Sequence, residues 1–218
     1  MRRNRLNSGG LVYTRWGKRL IDIVISFLCI PVLLVAMIIV IPIILVSDGR
    51  PIFYLSKRRG RHGHPFTMLK FRSMKVNAPD LRNSDGSTLT SAHDPRLTKY
   101  GAWLRKTSLD ELPQILNILL GDMSLVGPRP QVATRSYDLL SGEEQEVLSV
   151  RPGLTGYNQA YWRNAADTIK KTKNDVYYVR NVSPAFDGQI IWQTVKQVTN
   201  HTGVNSDEIE EVEHRSYV

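Results

Sequence analysis

The chain is poor in cysteine: Cys29 stands alone among 218 residues. That excludes a disulfide framework and any zinc site built from several thiolates. Acidic residues are the minority, 20 Asp and Glu against 29 Lys and Arg, for a formal net charge of +9. A surface of this sign expects an anionic partner, whether nucleic acid, anionic lipid or a phosphorylated substrate. Internal repeats are lacking, which excludes a solenoid or propeller. The glycine-containing stretch Arg151-Pro152-Gly153-Leu154-Thr155-Gly156 lacks a lysine-serine ending, so it is not a nucleotide P-loop. Disorder is excluded too, because 42% of the residues are hydrophobic.

Charge is missing altogether from one stretch. Ile23 to Val46 is 24 residues with no ionisable carboxylate or basic group, and only Ser26 is clearly polar. As a helix it would extend ~36 Å, enough for a bilayer core of ~30 Å. It is too long for a signal peptide, and no small-residue cleavage site follows Val46. Arg2, Arg3, Arg5, Arg15, Lys18 and Arg19 precede it; Arg50, Lys57, Arg58, Arg59 and Arg61 follow it. Positive flanks stay cytoplasmic, and here both flanks are positive. A helix that enters and leaves on one face keeps both inside. Pro31 removes a helical hydrogen bond a third of the way in and favours such a break. A kinked spanning helix is the other reading, since proline is tolerated there.

No second long apolar run appears after Val46, so residues 48–200 form one globular unit on the side of the basic flanks. Ile52–Arg58 and Pro65–Arg72 read as strands, with a hairpin loop at Gly60–His64. Residues 77–95 read as a polar loop. Helices are expected over Leu112–Leu120, stopped by Gly121, over Tyr137–Leu148 and over Ile190–Val198. The aromatics Trp103, Tyr157, Tyr161, Trp162, Tyr177 and Tyr178 are assigned to the core by default, with the lipid interface or a base pocket as the other readings. Residues 201–218 read as a loose acidic tail. The fold class is α+β, mainly helical: a basic flank 1–19, a re-entrant membrane helix 20–47 broken at a proline, a membrane-associated domain 48–200 with a small β-hairpin, and the tail.

Three stretches place charge beside unusual backbone. Asp110 and Glu111 are adjacent carboxylates just before an apolar helix, whose start is fixed near them by Pro113. On a helix neighbours point ~100° apart, so they cannot oppose each other across a glycosidic bond. The geometry suits two jobs, one nucleophile and one metal or positioning group. Alternatively both satisfy the helix dipole, with Ser108 and Glu111 as a capping box. In Gly127-Pro128-Arg129-Pro130, two prolines lock an arginine that can grip a phosphate through two hydrogen bonds, or else lies in a solvated turn. Gly153 and Gly156 permit close backbone approach to a ligand and Arg151 adds charge, or else the stretch is a plain turn. His62 and His64 have no visible partner ligands and read as loop residues. Lys70, Arg72 and Lys75 face either phosphate or solvent.

Together these stretches closely resemble the bacterial sugar transferase family, the monotopic phosphoglycosyl transferases that begin glycan assembly on a lipid carrier. The resemblance is carried by Asp94-Pro95-Arg96-Leu97-Thr98, Gly101 and Leu104-Arg105-Lys106-Thr107-Ser108-Leu109-Asp110-Glu111-Leu112-Pro113-Gln114. It continues through Asn117 and Gly121–Pro130, with Lys70–Met74, Pro152–Gly156 and Gln159, and covers roughly residues 15–198. It implies transfer of a sugar-1-phosphate from a UDP-sugar to polyprenyl (undecaprenyl) phosphate with Mg²⁺. Asp110 is the implied nucleophile, forming a covalent sugar-phosphate and releasing UMP, with Glu111 and Asp110 as the metal ligands. Arg105, Arg129 and Arg151 are the implied phosphate-binding cations, with Pro128, Gly153 and Gly156 shaping the nucleotide site. The resemblance also implies a helix broken at Pro31, membrane lipids as partners and the cytoplasmic face of the inner membrane. Downstream glycosyltransferases would consume the product. The chain looks like the minimal catalytic form, without the extra membrane helices of larger members. Arg163-Asn164-Ala165 resembles members that handle N-acetylated amino sugars; UDP-glucose and UDP-galactose stay open. A membrane-anchored nucleic-acid binder or an inactive scaffold would leave unexplained why Arg105, Asp110, Glu111 and Arg129 occur together, so no nucleic-acid partner is assigned.

Overall fold

The computed structural model describes residues 13–79, 81, 94–133, 135–162 and 168–200. The basic flank up to residue 12, most of the polar loop, Arg163-Asn164-Ala165 and the acidic tail lie outside the described residues.

The apolar stretch forms two helices, α1 (Lys18–Leu28) and α2 (Ile30–Asp48), separated by Cys29. A π turn, Tyr13–Gly17, leads into α1. Pro31 falls in the first turn of α2, where its missing N–H costs nothing. Pro42 lies inside α2. By length and composition α2 could cross a membrane. Leu33, Ala36, Val40 and Ile44 are buried along one side of it, a spacing that recurs every three to four residues. The rest is apolar and open, as at Ile38 and Val46, 74% and 90% exposed. So continuous an apolar surface marks contact with something other than water.

Both ends of this apolar segment pack on the same domain. In α1, Arg19 donates to the carbonyls of Ile118 and Leu119, and buried Asp22 accepts from Ser124 Oγ and Leu125 N–H. In α2, Val40 and Ile44 join Phe71 and Leu104 in one core cluster. Arg72 donates Nη2 to the carbonyls of Asp48 and Gly49, at the C-terminus of α2, where a cation meets the helix dipole favourably.

The hairpin is β1 (Phe53–Arg59) and β2 (Pro65–Phe71), antiparallel in the register Phe53–Phe71 to Arg59–Pro65. His62 in its tip takes a left-handed conformation. Then come α3 (Gly101–Lys106), α4 (Gln114–Leu120), β3 (Ser124–Val126), β4 (Gln131–Val132), α5 (Gly142–Val147) and β5 (Gly153–Thr155). β4 extends the hairpin sheet beside Arg58 and Arg59; β3 and β5 form a separate parallel pair. The chain closes with α6 (Tyr157–Tyr161), α7 (Thr168–Arg180) and α8 (Pro184–Asn200).

Several boundaries differ from expectation for local reasons. The Tyr137–Leu148 segment divides into a 3-10 turn, Tyr137–Leu139, and α5, because Ser141 and Glu144 form a capping box that starts a new helix. The last helix begins six residues early, at Pro184, which tolerates a first-turn position. Of the six aromatics assigned to the core, only Tyr178 is fully buried; Trp103, Tyr161 and Tyr177 are exposed. Tyr178 and Tyr13 both donate to buried Asp187, which also pairs with Lys18, tying the first described turn to α8.

Candidate active site

Side chains alternate along a strand, so Phe66, Met68 and Lys70 share one face of β2. Phe66 and Met68 are buried against Ile118 and Met123. Lys70 therefore emerges at the rim of that core. Asn117 fixes α4 against the strand: its Oδ1 accepts from Leu69 N–H and its Nδ2 donates to Thr67 O. That clamp holds the residues just before α4 next to Lys70.

Those residues are the carboxylate pair. Asp110 and Glu111 sit in a 3-10 turn, Leu109–Glu111, rather than in the first turn of α4, which starts only at Gln114. Ser108 before them has φ +56°, left-handed, and makes no side-chain cap. The capping box is thus not formed, and Glu111 turns instead to Lys70, 2.5 Å from Nζ to Oε1. Arg129 Nη2 lies 3.9 Å from the same oxygen. Pro128 and Pro130 are buried and Arg129 between them projects outward. On the other side, Arg105 donates Nε to Ser73 Oγ and lies 4.0 Å from Asp94. Asp94 is itself held by Arg96.

The two carboxylates are not equivalent. Asp110 is 6% exposed, and among the described residues no hydrogen bond reaches its carboxylate. Burial and the neighbouring Glu111 charge push it up to about 6, against the pull of Lys70, Arg105 and Arg129. Burial acts on Glu111 in the same sense, but Lys70 and Arg129 overcome it and hold this acid down to about 2. Desolvation lowers the Arg105 pKa, and both dyad carboxylates oppose it. The site therefore sets two carboxylates of unequal basicity, Asp110 the more basic, among three cations. The cleft beside Glu111 is also lined by Arg58, Gln114 and Gly153. Its volume of about 40 Å³ has room for a few waters.

Asp110, Glu111, Arg105 and Arg129 thus come together. Lys70, one of three basic residues left open by sequence, joins them; Arg72 holds the end of α2, and Lys75 donates to Pro95 O. Arg58 was not singled out as a site residue from sequence, because no local pattern links it to Glu111, far along the chain; Gln114 was read only as part of the family motif, three positions after Glu111. Arg151 points elsewhere: its Nε donates to Gly121 O, in a second cleft with His62 and His64. Gly153 and Gly156 meet the Gly127 backbone, and a Cβ on either would lie 2.1 Å from a Gly127 atom. Pro128 O accepts from Gly153 N–H. Pro31 lies in α2, outside this cleft.

Magnesium fits the donors present. It binds through one or two carboxylates and completes its shell with water and phosphate oxygens, and Asp110 and Glu111 supply such a pair. Among the described residues no group of three or more His, Cys, Asp or Glu could hold a metal by itself.

A profile of the bacterial sugar transferases matches residues 13–201, and the chain belongs to that family. It is 40% identical to EpsL, an uncharacterized sugar transferase of Bacillus subtilis, over 86% of this chain and 89% of that one. It is 37% identical to the UDP-glucose:undecaprenyl-phosphate glucose-1-phosphate transferase of Escherichia coli, over 82% of this chain and 39% of the other. Against the undecaprenyl-phosphate galactose phosphotransferase of Salmonella typhimurium the identity is 36%, over 87% and 42%. The chain spans about two-fifths of these last two proteins.

Proposed function

We propose that this protein transfers a sugar-1-phosphate from a UDP-sugar to polyprenyl phosphate through a covalent intermediate on Asp110, and so begins assembly of a glycan. The observation that carries this reading is the Asp110 carboxylate, buried, with no hydrogen bond among the described residues and lying in the field of Lys70, Arg105 and Arg129. A structural carboxylate at this depth would be expected to have hydrogen-bond partners. Asp110 is also the more basic of the pair, which favours it as nucleophile.

The Asp110 oxygen attacks the sugar-bearing phosphorus, and the bond from that phosphorus to the bridging oxygen breaks, so UMP leaves with the oxygen. An oxygen of the lipid phosphate then attacks the same phosphorus and displaces Asp110, giving polyprenyl-diphosphate-sugar. Both steps bring anion to anion. Lys70, Arg105 and Arg129 offset that repulsion, and Lys70 and Arg105 are already held by Glu111 and Ser73. Lys70 pairs with Glu111 and keeps it ionised. Magnesium, held by Glu111 and Asp110, would supply charge neutralisation on the phosphates. Relatives named for glucose and galactose transfer support a hexose donor, while the amino-sugar signal at Arg163-Asn164-Ala165 lies outside the described residues.

The apolar segment supports a re-entrant anchor on the cytoplasmic face of the inner membrane. Its first arm is bonded to α4 and β3, and its last turns pack on β2 and α3 of the same domain. The chain leaves the domain at α1 and returns to it by the end of α2.

Intact mass spectrometry tests the chemistry, with Mg²⁺ and a panel of UDP-sugars, including N-acetylated ones, and no lipid. The expected result is an added sugar phosphate on the wild type and none on Asp110→Asn. UMP release on adding polyprenyl phosphate, but with no adduct ever trapped and full activity in Asp110→Asn, would overturn the covalent route.

A further inference from the structure

Arg151 lies in a cleft of about 210 Å³ between the hairpin tip and the end of α4, lined also by Arg61, His62, His64 and Asp122. Arg19 reaches the same place from α1: its guanidinium bonds the last carbonyls of α4 and lies 3.4 Å from where a Cβ on Gly121 would stand. Three guanidinium groups therefore converge, and their charges oppose one another. Burial lowers the Arg151 pKa, and the fields of Arg19 and Arg61 lower it further, with Asp22 opposing. Asp122 is the one carboxylate in the lining, and it already accepts from Asn117.

Arg61 and Arg151 each spend only Nε on the fold, donating to Ser149 O and Gly121 O at 2.9 and 2.8 Å. Among the described residues their terminal nitrogens have no hydrogen-bond partner. A purely structural role would need the Nε bonds and would gain nothing from gathering like charges. Paired N–H groups on a planar fork match phosphate oxygens.

The position of the cleft narrows the source of that phosphate. Arg19 is followed at once by Leu20, 64% exposed, and preceded by Trp16, 70% exposed. On the membrane reading proposed above, this is the level at which an apolar arm enters lipid, where tryptophan and basic residues meet headgroups.

We infer that this second cleft binds the phosphate of an anionic lipid headgroup, gripped by the terminal nitrogens of Arg61 and Arg151 and separate from the Asp110–Glu111 site. The test is native mass spectrometry of the full chain in detergent, with phosphatidylglycerol and phosphatidylcholine at equal concentration. Arg61→Gln and Arg151→Gln are compared with wild type, and each is first checked for an unchanged melting curve. Arg61 is the safer probe, because its bond to the fold is on the surface. Wild type should retain phosphatidylglycerol at least fivefold over phosphatidylcholine, and either variant should lose that preference. Inorganic phosphate added to 10 mM distinguishes the sources: headgroup retention that survives it supports a lipid, and displacement supports a site that accepts free phosphate. Equal retention of the two lipids by wild type, or a preference untouched in Arg61→Gln, overturns the proposal. The assay needs no turnover, so a failed transferase reading leaves this result standing.

Discussion

Lys70 and Glu111 stand 41 positions apart and meet at 2.5 Å, one at the end of β2 and the other in the turn before α4. The pair is mostly shielded, with side chains 16% and 25% exposed. Breaking a shielded pair on one side leaves the other charge uncompensated. Here the orphan would be Glu111, next to a second carboxylate. Lys70→Met should lower donor-dependent UMP release about 100-fold, within the range for losing one electrostatic group at a reacting centre. It should also lower the melting temperature, by an amount corresponding to roughly 2 kcal/mol. Lys70→Arg keeps the charge and should recover most of the stability and part of the rate. Steady-state kinetics and thermal melts of the two variants check this.

Gly153 is a packing residue whatever else it does. A Cβ there would lie 2.1 Å from Gly127 N and 2.2 Å from Thr155 O, both backbone atoms that cannot swing aside. Gly153→Ala should push β5 off β3 and cost roughly 3 kcal/mol or more, visible as a large fall in melting temperature. Gly142 is the control: nothing lies within 4 Å of a Cβ built on it, and Gly142→Ala at the start of α5 should be neutral or slightly stabilising.

How much of this was legible follows from the range of each interaction. The hairpin could be read because strand-forming runs flank Gly60 and Gly63 within one short window. α4 could be read because Gly121 ends it with a left-handed cap. The dyad and the locked Arg129 could be read as motifs because their residues are contiguous. What escaped was non-local. Lys70 reaches Glu111 only because Asn117 clamps α4 to β2, and no window contains all three. α7 escaped for another reason: its face is rich in lysine, and only a few apolar residues near its end, Val176 and Tyr178 among them, are buried. Gly153 and Gly156 were legible as sites of close approach, but the sequence could not say that the approaching group would be Gly127.

Asp175 makes a pH-dependent cost that can be measured away from the dyad. It is buried in α7, accepts from Asn158 Nδ2 at 2.6 Å, and burial pushes it up to about 7 from an ordinary value of 3.8. A raised carboxyl pKa means that the folded chain holds a proton the unfolded chain has already lost. Stability therefore falls as pH rises from about 4 towards 7, and the cost is fully developed above that. Asp175→Asn keeps an acceptor for Asn158 and removes the ionisation. Its melting temperature should match wild type near pH 4 and exceed it by about 10 °C at pH 8. A gain that does not vary with pH would mean that packing, and not charge, is responsible.

The anchor has the sharpest alternative, because a spanning helix and a re-entrant one differ in where the first basic flank lies. With Cys29 replaced by serine no native thiol remains, so single cysteines can be placed at Thr14 before α1 and at Lys57 in β1, both exposed. A re-entrant segment keeps both on the cytoplasmic side, and a membrane-impermeant maleimide should label neither in intact cells and both after lysis. A spanning segment puts one of them outside, where it is labelled without lysis. Re-entry is favoured because spanning would have to break contacts at one end. Arg19 and Asp22 would leave α4 and β3, or Val40, Ile44 and Asp48 would leave Phe71, Leu104 and Arg72. Either loss would leave buried polar groups unpaired or a core cluster open, each a cost of several kcal/mol.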